Sequence, residues 1–287
     1  MTDPAPDPAP DPTPDLVAYF DLRTRLLGPL RNQPLTSDQL CEVGRILSGS
    51  PDGLSLYDVP APRMVDRGIR LLGRTALECV KDPHPALVAT ALTEVLAEIG
   101  TDARTDGLTD ARTDRPATGH RPLIADLFCG SGNLGHQLGR ALGPRFGHRV
   151  HATELDPLVH DFTRHNLALI GSPVRLRHAD YRELLTTSTA PHGRSRQDVY
   201  LVEPPWDAGF TATGLDLTRT TPPVPDILDD IRRSRGDHPC VVVLKTSDLI
   251  AHDTLAAALR GATLLRTVCP RPVRPRGMNA RFHLYRV

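Results

Sequence analysis

Residues 126–135 read DLFCGSGNLG, which places Gly130, Gly132 and Gly135 at G-x-G-x-x-G spacing. Upstream, Leu123, Ile124, Ala125, Leu127 and Phe128 form the short apolar run of a buried parallel strand. Downstream, Leu134, Leu138, Ala141 and Leu142 recur at helical spacing. The stretch therefore predicts strand, glycine loop and helix in succession, a loop that turns sharply and lets a ligand approach the backbone. Glu154 closes the next predicted strand about twenty residues on, where an acid can hydrogen-bond ribose hydroxyls.

Two features depart from a dinucleotide site. Asp126 stands inside the strand just before the glycines, where a pyrophosphate would meet an uncompensated negative charge but an ammonium would find a partner. A second apolar run, Val199–Val202, ends in Glu203-Pro204-Pro205-Trp206. DLFCGSGNLG, then ELDP at 154–157, HADY at 178–181 and EPPW at 203–206 together resemble the class I S-adenosylmethionine (SAM)-dependent methyltransferases. Within them the chain is similar to the branch that methylates amine nitrogens, including trimethylguanosine synthases and ribosomal-RNA guanine-N2 methyltransferases. The resemblance covers residues 120–287.

It implies SAM as cofactor, with Asp126, Phe128, Gly130, Ser131, Gly132 and Asn133 around the methionine portion, Glu154 on the ribose and Asp180 on the adenine amino group. It also implies that Glu203, Pro204 and Trp206 shape the acceptor site: Glu203 and the Pro204 carbonyl accept the N–H groups of an amine, and Trp206 offers an aromatic wall. The family carries Asn, Asp or Ser at the first motif position, so Glu203 is a departure. Asp180 also suits a cap for the helix begun by YRELL, and Cys129 suits a small residue filling the loop.

From Leu123 onward strands alternate with helices, which predicts an α/β, Rossmann-like sheet of seven mainly parallel strands with helices on both faces. Strands are expected near 123–128, 149–154, 173–179, 198–203, 239–245, 262–269 and 281–287. Asp156-Pro157 reads as a cap and first helical residue, and Gly171 as the stop. Ligands bind beyond the carboxyl ends of strands in such sheets, so Asp126, Glu154, Asp180 and Glu203 are expected to share one crevice.

The remainder divides by composition. Residues 1–15, an Asp/Pro repeat, predict a disordered acidic arm, and 101–119, with its Thr-Asp-Ala-Arg repeat, a linker. Residues 16–100 predict a small helical domain acting as a lid or packing unit, with stripes at Leu22, Leu26, Leu27 and Leu30 and from Leu87 to Ile99. Within it the proline-broken segment SLYDVPAPRM (55–64) draws attention to Tyr57, Asp58 and Arg63 as loop residues able to reach a ligand.

The 287 residues carry 34 basic and 34 acidic side chains, no long apolar run and no signal-peptide pattern, which predicts a cytoplasmic protein with no membrane partner. Five scattered cysteines and twelve dispersed histidines predict neither disulfides nor a metal site. Zero net charge argues against a field that gathers RNA, while Arg271, Arg274 and Arg276 form a local cluster able to grip phosphate or carboxylate. The expected function is N-methylation of a small-molecule amine. The alternatives are an RNA guanine-N2 methyltransferase, a non-catalytic SAM-binding regulatory subunit, and cyclisation of SAM alone to azetidine-2-carboxylate with release of methylthioadenosine, in which Glu203 and Tyr181 would hold the cofactor's own amine.

Overall fold

The computed structural model describes residues 14–105, 121–189, 195–211, 213–236, 238–272 and 279–287. Seven strands form the central sheet: β1 (Leu123–Asp126), β2 (Arg149–Glu154), β3 (Val174–His178), β4 (Val199–Val202), β5 (Val241–Ser247), β6 (Thr263–Val268) and β7 (Ala280–Arg286). Their order is β3-β2-β1-β4-β5-β7-β6, parallel except for β7, which runs antiparallel to both neighbours. This is the Rossmann-like α/β fold expected from the alternating pattern. The chain builds β2 and β3 to one side of β1 and then returns to place β4 on the other, so the topological switch point lies between β1 and β4.

Strand alternation assigns the two faces. Val199, Leu201, Val241 and Val243 face helices α5 (Pro83–Thr105) and α6 (Asn133–Phe146). Tyr200, Val202, Val242 and Leu244 face α8 (Tyr181–Thr189), α9 (Val224–Arg235) and α10 (His252–Ala258). Both faces are covered, which is why the central strands are continuously apolar rather than alternating. Helix α7 (Pro157–Leu169) starts as the sequence indicates: Asp156 accepts from the Leu158 and Val159 amides at 3.0 Å each, with Pro157 at the first helical position.

The N-terminal segment folds as α1 (Pro14–Leu27), α2 (Ser37–Ser48), a short hairpin at 55–60, α3 (Ala61–Met64) and α4 (Gly73–Glu78), closed around Leu22, Leu40, Leu47, Leu56 and Met64. Leu167 of α7 belongs to the same core. Helix α5, which sequence analysis groups with these helices, instead buries Val88, Leu92, Val95 and Leu96 against the sheet and α6. Its stripe is apolar enough for either partner, and only the assembled sheet offers the larger surface. Residues 14–15 begin α1 and 101–105 extend α5; the rest of the expected arm and linker, and Arg274 and Arg276, lie outside the described residues. No described helix is long and apolar enough to cross a membrane.

Candidate active site

Gly130 (φ 50°) and Gly132 (φ 73°) take left-handed backbone conformations that turn the chain from β1 into α6. A side-chain carbon at Gly130 would meet nothing within 4 Å, so the loop backbone lies open there, while one at Gly135 would come 2.9 Å from Asp126 Oδ2. Glu154, at the end of β2, is fixed to this loop: Oε2 accepts from the Gly130 amide at 3.0 Å and Oε1 from the Asp156 amide at 2.9 Å. Thr163 Oγ1 donates to the Gly130 carbonyl at 2.5 Å.

Three carboxylates converge at the switch point. Asp126 is 4% exposed, and the Phe128 and Gly135 backbones beside its carboxyl favour the ionised form. Burial, then the charges of Glu203 and Glu154, push its pKa up to about 8. Burial also raises Glu154 and Glu203 above the ordinary carboxylate range, opposed at Glu154 by its two backbone donors and at Glu203 by Lys245. This is an acidic crevice in which an added positive charge relieves the repulsion.

Lys245, from the middle of β5, was not anticipated. Its ammonium pairs with Glu203 Oε1, donates to the Glu78 carbonyl at 3.0 Å and lies 5.7 Å from the centroid of the Trp206 ring. The cation resting on Trp206 is thus the protein's own. The sequence signal was a single lysine at the end of the apolar run Val241–Leu244. Trp206 stacks on Phe210 at 6.0 Å with ring planes 12° apart, and the Arg23 guanidinium of α1 lies 5.7 Å from the Phe210 centroid, so the EPPW turn is braced from the N-terminal unit. Pro204 is buried, and among the described residues no group donates to its carbonyl.

The other expected site residues take mixed positions. Asp180 caps α8, accepting the Arg182 amide at 2.8 Å, and lies 3.6 Å from the Arg182 guanidinium. Tyr181 is buried with its ring 5.0 Å from that of Phe128, and its hydroxyl donates to Asp230 of α9 at 2.6 Å. Burial and Asp230 hold that phenol far above its ordinary range, so it stays protonated. Cys129 is buried with its thiol pKa raised by burial, as suits a filler rather than a nucleophile. Among the described residues no three His, Cys, Asp or Glu side chains gather as a metal site.

Asn133 and Ser131 face the N-terminal unit. Asn133 is fully buried; its Oδ1 accepts the Tyr57 amide at 2.9 Å, and its Nδ2 donates to the Val80 carbonyl at 2.8 Å and to Asp82 at 3.0 Å. The Tyr57 hydroxyl donates to the Ser131 carbonyl. Tyr57 and Asp58 form the hairpin tip with φ of 58° and 63°, an uncommon conformation for residues with side chains. Asp58 pairs with Arg140 of α6, and Gln137 reaches both Asp58 (3.1 Å) and Asp82 (3.2 Å). Farther along, Asn166 exchanges two hydrogen bonds with the Arg70 backbone, and Arg74 pairs with Asp156 at 2.7 Å. Two of the three residues singled out in SLYDVPAPRM thus hold the glycine loop and its helix; Arg63 is exposed.

No protein-family model matches the chain, and no curated protein matches it. Solved structures with a similar backbone include the N-terminal domain of human METTL16 in complex with SAH (TM-score 0.46, 14% identity, covering 96% of this chain and 95% of that one). A precorrin-6y C5,15-methyltransferase from Geobacter metallireducens gives a TM-score of 0.35 at 16% identity over 58% of this chain and 79% of that one. A Pyrococcus abyssi tRNA (uracil-54, C5)-methyltransferase in complex with S-adenosyl-L-homocysteine gives 0.37 at 14% over 68% and 38%.

Proposed function

We propose that this chain is a SAM-dependent enzyme that methylates a neutral amine nitrogen of a small molecule. The observation that carries the reading is the convergence of Asp126, Glu154 and Glu203 on an open glycine loop at the switch point. Such a crevice opposes the diphosphate of a dinucleotide and favours a ligand with cationic groups and a diol. When bound, SAM supplies a methyl carbon made electrophilic by its sulfonium. Asp126 is suited to the cationic portion and Glu154 to the ribose hydroxyls.

At the acceptor end Lys245 balances the charge of Glu203. A lone carboxylate would select a protonated ammonium, which has no lone pair to donate; the neutralised pair instead leaves Glu203 Oε2 and the Pro204 carbonyl to accept N–H groups of a neutral amine and aim its lone pair. Incubating the protein with SAM, alone and with a panel of small amines, tests this: S-adenosylhomocysteine should form only when an amine is added. Methylthioadenosine from SAM alone would overturn methyl transfer in favour of cyclisation. Glu203→Gln should lower turnover about 100-fold, the low end for a group assisting proton movement, while SAM affinity stays within a fewfold. Full activity in that variant would remove Glu203 from the reaction.

The raised Asp126 pKa makes cofactor affinity pH-dependent. Below about pH 8 the free site is mostly protonated at Asp126; a cation beside it favours ionisation, so binding releases a proton. SAM affinity should therefore rise with pH, by at most about tenfold per unit for one linked proton, and level off above about pH 8. Calorimetry in buffers of different ionisation enthalpy reads the proton directly. Asp126→Asn should abolish the release; a wild-type affinity flat from about pH 6 to 9 would contradict the assignment.

A further inference from the structure

A second charged surface lies on the α8 side of the sheet at its β3 edge. Arg149 and His151 of β2 share a face with Arg175 and Arg177 of β3, with His151 opposite Arg175 and Thr153 opposite Arg177 in register. Their strand neighbours Val150 and Ala152 are buried, Val150 in the core with α6. The acid meeting this face is Glu183 of α8, 3.8 Å from Arg177, whose guanidinium also donates to Thr187 Oγ1 at 3.0 Å. The sequence holds no further acid between Glu183 and Asp198, and none from Arg149 to Thr153 or from Val174 to Ala179.

Charged residues commonly protect an edge strand from pairing with other chains, and exposed Arg175 and Arg177 on β3 serve that need. Edge protection does not account for β2, an interior strand. There the Nε of Arg149 and the Nε2 of His151 are both buried, and among the described residues neither has a hydrogen-bond partner. Burial and the three arginines together hold the His151 imidazole below its ordinary pKa. Buried polar atoms left unpaired cost free energy, and like charges on one face add to it. An anion with several oxygens relieves both, because arginine forks match phosphate geometry.

We propose that Arg149, His151, Arg175 and Arg177 form a phosphate-binding site, distinct from the carboxylate crevice and independent of the transferase reading. The phosphate can come from a small anion or from a nucleic-acid backbone. Arg177 lies opposite Thr153, one residue before Glu154, so the basic face runs along the strands toward the crevice. A phosphate-bearing chain lying along it would reach the edge of the candidate active site.

The test uses the full-length protein with pyrophosphate by calorimetry and with a short fluorescein-labelled single-stranded RNA by anisotropy over a salt series. Each single-strand phosphate contact contributes about 0.7 to the slope of log affinity against log salt. Arg149→Gln/Arg175→Gln should then reduce the RNA slope by about 1.4 and the affinity about 25-fold at roughly 0.1 M salt. Arg175→Glu, altering only an exposed side chain, should weaken binding even if the double variant is poorly folded, and Arg67→Gln should leave it unchanged. Loss of both probes in variants that keep the wild-type circular dichroism and melting temperature supports a general phosphate site; loss of pyrophosphate alone assigns a small anion, and loss of RNA alone a nucleic-acid backbone. If the wild type binds neither probe, or the arginine variants bind like the wild type, the proposal is overturned.

Discussion

Replacing Asn133 with alanine is expected to destabilise the protein by about 3–5 kcal/mol, because the fully buried amide joins the two halves of the molecule. The Tyr57 amide, the Val80 carbonyl and Asp82 each lose a partner, and buried polar groups left unsatisfied cost about 1–3 kcal/mol apiece. The Asp82 carboxylate keeps the Asp58 amide, the Ser55 hydroxyl and Gln137, which places the total below the upper sum. The loss is not confined to global stability. With the hairpin tip released, the strained Tyr57–Asp58 turn has less to hold it, and the Ser131 carbonyl loses a fixed donor. Affinity for S-adenosylhomocysteine should fall by more than tenfold, measured at a temperature where the variant remains folded. Denaturant titration giving a loss below about 1 kcal/mol, with unchanged affinity, would show that the N-terminal unit merely rests on the glycine loop.

The second large effect is expected from Lys245→Met, which preserves the apolar stem and removes the ammonium. Glu203 then stands in its pocket without a counter-charge. Removing one partner of a buried pair costs about 3–5 kcal/mol, and the partial exposure of this pair, 11% at Lys245 and 21% at Glu203, brings the expectation to about 2–3 kcal/mol. Its pH dependence is diagnostic. Glu203 already has a folded-state pKa above its ordinary value of 4.5 through burial, and loss of Lys245 raises it further. A carboxyl whose pKa is raised by folding binds more protons in the native state, so stability falls as pH climbs above the unfolded value. Variant and wild type should therefore melt at similar temperatures near about pH 4 and diverge toward neutrality. Adding Glu203→Gln should restore most of the loss at neutral pH. An equal deficit at both pH values would mean that the lysine acts by packing alone.

Much of the sheet-containing half was legible in the chain because its signals are local. The apolar run ending at Asp126, the glycines at 130, 132 and 135, and the Asp156-Pro157 cap each constrain backbone within a few residues of themselves, and the strands appear within two residues of their expected limits. The number of strands follows from the same period, whereas the antiparallel entry of β7 between β5 and β6 is a matter of tertiary pairing that no period records. The candidate cofactor residues could be named because each sits at a strand end or in a turn, where the backbone position itself carries the meaning.

What the sequence determined alone was thus the sheet, its glycine loop and the set of acids at its carboxyl edge. The tertiary structure decided how those acids are compensated and what holds the loop. Lys245 and Glu203 are 42 residues apart, and Tyr57 lies 76 residues from Asn133, separations at which no local pattern records a contact. A charged residue near the end of an apolar strand announces a partner without naming it. Likewise the stripe on α5 required burial but did not specify against what, and packing assigned it to the sheet. Short-range backbone preferences are written residue by residue, whereas desolvation and charge pairing depend on which distant surfaces meet, and only the folded chain brings those surfaces together.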